Sequence, residues 1–171
     1  DYGGHGTNCA GCSTASTDNG IGIAGAAWGC KVMGVRVGFL EDGETQGVVR
    51  MDFASSGMIY AAQTGAKIIN CSWGSSSYLS YAIQYCTLTK DAIVVNAAGN
   101  DDWEASEYMG THPSVISVAA TDQNDAKASF SNYGSWVEVS APGVAIYTTA
   151  WNQATGSHGY SSVQGTSFSA P

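Results

Sequence analysis

Apolar, β-branched runs recur along this chain, each closed by a cluster of Gly, Ser or Asn and followed by a stretch with helical spacing. That alternation is the signature of an α/β fold built on a mainly parallel sheet with helices on both faces. Residues 31–37 (KVMGVRV) read as a strand, and residues 38–47 as a polar loop around the turn signal Asp42, Gly43. Residues 48–64 read as a helix with Val49, Phe53, Ile59 and Ala62 on one face, ended by Gly65 in the left-handed conformation that helix ends favour. Strands follow at 67–72 (KIINCS), 92–97 (AIVVNA) and 115–120 (VISVAA), with a helix at 78–90. Runs this apolar need cover from both sides. Beyond residue 120 the pattern shortens, predicting strands near 128–131, 136–139, 144–149 and 160–163.

No repeat, linker or low-complexity segment interrupts residues 1–171, so one domain is expected. Gly, Ala and Ser fill 66 of the 171 positions and only 12% are charged, against roughly 25% in an ordinary soluble chain. Such a chain packs backbone close to backbone. A net charge of -8 repels phosphate backbones and anionic lipid, which argues against nucleic acid and membrane partners. No apolar run reaches the ~18 residues of a membrane span. The chain opens at Asp1 and stops at Pro171 just after a Gly-Thr-Ser run. It is therefore expected to be the central part of a larger domain, truncated at both ends.

Three clusters carry chemistry. The first is Gly4, His5, Gly6, Thr7, where flanking glycines allow close approach to an imidazole suited to proton transfer near neutral pH. Taken alone, such a His is also a common turn residue. The second, Ala97, Ala98, Gly99, Asn100, closes a buried strand, where parallel sheets bind ligands, and supplies an uncharged amide donor. An Asn turn is its plain alternative. The third, Gly165, Thr166, Ser167, reads as a helix start with free N–H groups, suited to a nucleophile or to a simple N-cap.

In this order, with 95 residues from His5 to Asn100 and 67 from Asn100 to Ser167, the clusters resemble those of the subtilisin-like serine proteases, the subtilases. GHGT, AAGN and GTSFSAP carry the resemblance, and KIINCSWGS, HPSVISVAATD, ASFSNYG and SAPG extend it along the chain. The resemblance implies a serine endopeptidase acting on peptide or protein substrates, secreted, and compatible with synthesis behind a propeptide. His5 is then the general base, Ser167 the nucleophile and Asn100 the oxyanion donor. Ser72, Trp73 and Gly74 would pair with the substrate backbone. With Ala97, Ala98 and Gly99 they would wall its pocket, and Thr166 would support the oxyanion hole.

The family's triad Asp lies upstream of its His. Asp1, four residues before His5, reads as a loop residue, so this piece alone is expected to be inactive. The nucleophile's helix also extends further in the family. The alternative is a catalytically dead relative serving as a binding or structural module. Acid peptidases that share the Gly-Thr-Ser motif place Glu where His5 stands, and an unrelated binding domain gives no reason for the three motifs to co-occur.

Glu107, where the family often has Tyr-Pro nearby, falls near the expected pocket floor and suggests acceptance of basic side chains. Its alternative is a solvated loop acid beside Asp101, Asp102 and Glu104. Thr17, Asn19, Ile21 and Ile23 resemble the family's calcium loop, one side-chain oxygen and three carbonyls, with other ligands expected elsewhere. Glu138 resembles a weaker cation position. No organic cofactor is implied. Cys9 and Cys12 form a C-x2-C pair without a second pair to complete a zinc site. Cys71 and Cys86 can pair or stay free.

Overall fold

A computed structural model describes residues 3–40, 47–152 and 154–171. The turn signal at Asp42 and Gly43, and Asp1, lie outside the described residues. In chain order the elements are α1 (His5–Thr14), β1 (Gly38–Leu40), β2 (Gly47–Val49), α2 (Met51–Gln63), β3 (Ile68–Cys71), α3 (Ser80–Gln84), β4 (Ile93–Ala97), β5 (Val115–Thr121), β6 (Val139–Pro142), β7 (Ile146–Asn152), β8 (Ser157–Val163) and α4 (Thr166–Ser169). Strands β3, β4, β5 and β6 form one parallel sheet in that order. Two antiparallel pairs, β1 with β2 and β7 with β8, stand apart from it.

Register decides which side of the sheet is buried. Ile69 lies beside Val94, and Val94 beside Val115, so these three share one face. All three join the core formed with Ala54, Met58, Ala61 and Ala62 of α2 and with Leu79, Ile83 and Cys86. Helices lie on both faces, but unevenly. Gly143 is wedged between the side chains of Ala120 and Ser169 with no room for a Cβ, which places α4 on the opposite face near the strands' carboxyl ends. Towards the amino ends of that face, Ile68 and Ile93 stay exposed.

Several expected elements differ in the structure. Residues 31–37 form no strand, because no neighbouring strand pairs with them among the described residues. Val35 and Val37 nevertheless pack against the core, alternating inward over Gly57 of α2. The helix begins at Met51, since Val48 and Val49 are taken up by the ladder with β1. Its buried positions are Ala54, Met58, Ala61 and Ala62, spaced four, three and one apart. Phe53, expected inside, is 51% exposed and lies under the Arg50 guanidinium. Gly65 has φ +99°, as the helix end demands. Residues 128–131 are a turn closed by Ser131 N–H to the Ala128 carbonyl at 2.9 Å, and only Val139 of 136–139 enters a strand. The last two predicted strands belong to the longer β7–β8 hairpin.

That hairpin carries α1. Asn8 Nδ2 donates to the Thr149 carbonyl at 2.7 Å, and the hydroxyls of Thr148 and Thr149 donate back to Asn8 and Thr7 carbonyls at 2.8 and 2.7 Å. Gly11 faces both threonines, and a Cβ there has no space.

All five cysteines are free. Burial pushes the thiols of Cys9 and Cys86 up to about 11 and that of Cys71 higher still, so all three stay protonated at neutral pH. Cys30 is exposed. Native protein treated with iodoacetamide at pH 8 is therefore expected to alkylate at Cys30 first, with Cys9, Cys71 and Cys86 reacting only in denaturant. Peptide mass mapping reads this order; native labelling of Cys71 at the rate of Cys30 would contradict it.

Candidate active site

The carboxyl ends of β3 and β4 open into segments 72–74 and 98–100, and the start of α4 docks against both. Asn100 is locked there by geometry. Its Oδ1 accepts from the Thr166 N–H at 2.8 Å and from the Thr166 hydroxyl at 3.0 Å. With the oxygen committed twice, the amide nitrogen points the other way, and Nδ2 has no acceptor among the described residues. Thr166 itself is fully buried, and its Oγ1 also accepts the Gly99 N–H at 3.2 Å. One threonine thus ties the β4 loop to α4.

Gly99 has φ +108°, and the Asn132 amide occupies the space where its Cβ would stand. Asn132 Oδ1 accepts the N–H groups of Asp101 at 2.9 Å and Trp103 at 3.2 Å, which fixes the turn after Asn100. Asn96 Nδ2 donates to the Cys71 carbonyl at 2.8 Å and the Trp73 carbonyl at 3.3 Å, holding segment 71–73 in register. Neither Asn132 nor Asn96 stands out as a site residue in the sequence. The only signal for Asn132 is its place in the ASFSNYG segment.

Ser167 sits one residue beyond the lock. Its hydroxyl donates to the Ser72 carbonyl at 3.4 Å, and its own carbonyl accepts from Ser72 Oγ at 2.9 Å and Cys9 Sγ at 3.4 Å. The His5 ring packs on Phe168 with centroids 5.5 Å apart and lies 3.9 and 4.0 Å from Cys9 Sγ through Nδ1 and Nε2. Cys9 therefore touches both predicted reactive residues from beneath. Among the described residues, neither ring nitrogen of His5 has an oxygen or nitrogen partner. Desolvation lowers the imidazole pKa below its ordinary value, so at neutral pH the ring is uncharged and able to accept a proton.

Trp73, Gly74, Ala97, Ala98, Gly99, Asn100, Thr166 and Ser167 all line one cavity of about 220 Å³, together with Asp101, Glu107 and Asn132. Ser72 does not. Its hydroxyl is turned to Ser167 and accepts from Asn70 Nδ2 at 2.9 Å, so it clamps α4 rather than walling the cleft. A second cavity, about 300 Å³, is lined by Ala119, Lys127, Tyr133, Gly134, Val137 and Ser140 and includes none of the three motif residues His5, Asn100 and Ser167.

Thr17, Asn19, Ile21 and Ile23 lie in the loop after α1, and none of them lines this cleft. Asn19 Oδ1 accepts the Ile21 N–H at 2.9 Å. In the roles the resemblance gives them these residues supply four oxygens, and calcium takes six to eight. The Glu138 carboxylate accepts the Ser117 N–H at 2.6 Å.

A sequence profile of the subtilase family matches residues 1–171. The chain belongs to that family. Thermitase of Thermoactinomyces vulgaris is 42% identical to it over 171 residues, covering 98% of this chain and 57% of the relative. An extracellular protease of Xanthomonas campestris is 39% identical, covering 98% of this chain and 30% of the relative. Among solved structures, a protease of Pseudoalteromonas arctica superposes with a TM-score of 0.84 at 34% identity, over 98% of this chain and 55% of that one. The chain spans about half the length of the curated subtilases it matches. The parallel sheet with flanking helices is thus the subtilase α/β architecture.

Proposed function

We propose that the full-length protein is a serine endopeptidase in which Ser167 is the nucleophile, His5 the general base and Asn100 the side-chain oxyanion donor. Peptide or protein is the substrate class. The observation that supports this reading is the double hydrogen bond from Thr166 to Asn100 Oδ1, which commits the oxygen and leaves Nδ2 as the unspent donor of a residue that lines the same cavity as Ser167.

Ser167 Oγ attacks the scissile carbonyl carbon while His5 takes the hydroxyl proton. The carbonyl oxygen becomes an oxyanion that accepts from Asn100 Nδ2 and from the Ser167 N–H. Collapse of the adduct breaks the C–N bond, and His5 returns its proton to the departing amine. Water then cleaves the acyl-enzyme, with His5 again as base. Subtilases orient the imidazole with an Asp carboxylate, and no carboxylate contacts His5 among the described residues. The 171 residues alone are proposed to be inactive for that reason.

Secretion, a propeptide and structural calcium are further parts of the proposal. An extracellular relative supports the first, and no helix of the described residues is long and apolar enough to cross a membrane. Calcium would bind at Thr17, Asn19, Ile21 and Ile23 only with two or more added oxygens.

A serine-directed phosphonate is the direct test. Full-length protein is expected to be labelled at Ser167, and a Ser167→Ala variant is expected to take no label. Failure of the unaltered protein to react would favour a catalytically silent binding module.

A further inference from the structure

We propose that Glu107 makes the cleft selective for a basic side chain on the residue before the scissile bond. This rests on the peptidase reading above and names its substrate class.

Glu107 is held firmly although it is exposed. It precedes the helical turn Tyr108–Thr111, and the next residue but one, Met109, is fully buried. The Met109 N–H donates to Ser75 Oγ at 2.9 Å, and Ser117 Oγ donates to the Gly110 carbonyl at 3.0 Å. From this anchored backbone the carboxylate reaches over Gly74. A Cβ placed on Gly74 would come within 2.8 Å of both carboxylate oxygens, so the absence of a side chain there makes room for the acid.

The same carboxylate accepts the Ser75 N–H through Oε2. Oε1 has no hydrogen-bond partner among the described residues, and no Lys or Arg lines the cavity; Asp101 is the other acid on its wall, so a preference for Arg that persisted in Glu107→Gln would point to Asp101 instead. Glu107 therefore carries an uncompensated charge into a space of about 220 Å³ that Ser167 also borders. Walls of Gly74, Ala97, Ala98 and Gly99 keep that space open to a long, unbranched side chain. A guanidinium or ammonium at its end meets a fixed carboxylate, and charge-assisted bonds of this kind are stronger than neutral ones.

The test compares peptides that differ only at this position, Arg against citrulline, which has nearly the same shape without the charge. Full-length protein is expected to favour Arg in kcat/KM by about 10- to 100-fold, the range a hydrogen bond to a charged group supplies. Glu107→Gln is the matched variant, since its amide oxygen can still accept the Ser75 N–H while the charge is gone. In it the Arg-to-citrulline ratio is expected to fall to within a few-fold of one. A partly misfolded preparation scales both rates together and leaves the ratio intact. Equal cleavage of the two peptides by the unaltered protein, or a preference that persists in Glu107→Gln, overturns the proposal while leaving the peptidase reading standing. If neither peptide is cleaved and the phosphonate does not label Ser167, both readings fall.

Discussion

Ser167→Ala is expected to lower kcat of the full-length protein by about 10⁶, the loss known for the nucleophile of subtilisin rather than a figure obtained from this geometry. KM should move little, because the side chain removed is not what shapes the cleft. The structural cost should also be small. Ser167 Oγ makes one long bond, 3.4 Å to the Ser72 carbonyl, whereas α4 is held through the Ser167 carbonyl by Ser72 Oγ and Cys9. Those bonds survive truncation to Ala. A change in unfolding free energy of under about 0.5 kcal/mol is therefore expected, measured by urea denaturation beside the kinetics. This pairing of a chemical collapse with an intact fold is the informative result. A kcat loss below about 10³ would move the nucleophile elsewhere, and a large loss of stability would show that Oγ is structural.

The apolar strands are legible in the sequence because each is decided by a local run: Ile68–Cys71, Ile93–Ala97 and Val115–Thr121 fall where the β-branched residues cluster. The motifs are legible too, since GHGT, AAGN and GTS mark His5, Asn100 and Ser167 directly. Residues 31–37 show the limit of this reasoning. Their pattern is that of a strand, and Val35 and Val37 do turn inward, yet a ladder needs a partner that the pattern cannot supply. On α2, the large Phe53 suggests the buried stripe, but Ala54, Met58, Ala61 and Ala62 occupy it and Phe53 is exposed. Least legible are the bonds between distant segments. Ser72 reads as part of a substrate strand, and only the fold reveals that its hydroxyl reaches 95 positions along the chain to Ser167. Likewise, nothing local indicates that Asn132 fills the space above Gly99.

Asn100→Ala is expected to reduce kcat by about 10² to 10³ with KM nearly unchanged, the effect of removing one preorganised oxyanion donor and the value seen for the corresponding donor in subtilisin. The donor is used in the transition state more than in the ground state, which is why the loss falls on turnover. Here the side chain has a second role. Its Oδ1 satisfies the N–H and hydroxyl of buried Thr166, so Ala also strands those donors and is expected to cost about 1–3 kcal/mol of stability. The two roles separate in Asn100→Asp. A carboxylate oxygen can still accept both Thr166 donors, so stability should recover towards that of the unaltered protein. The other carboxylate oxygen then stands where Nδ2 stood, facing a developing negative charge, and activity should fall further than in the Ala variant. Stability and turnover thus move in opposite directions between the two substitutions. Parallel melting curves and steady-state kinetics on the full-length protein decide it. If the Asn100→Asp variant proved both less stable and more active than the Asn100→Ala variant, the assignment of Oδ1 to Thr166 and of Nδ2 to the oxyanion would have to be reversed.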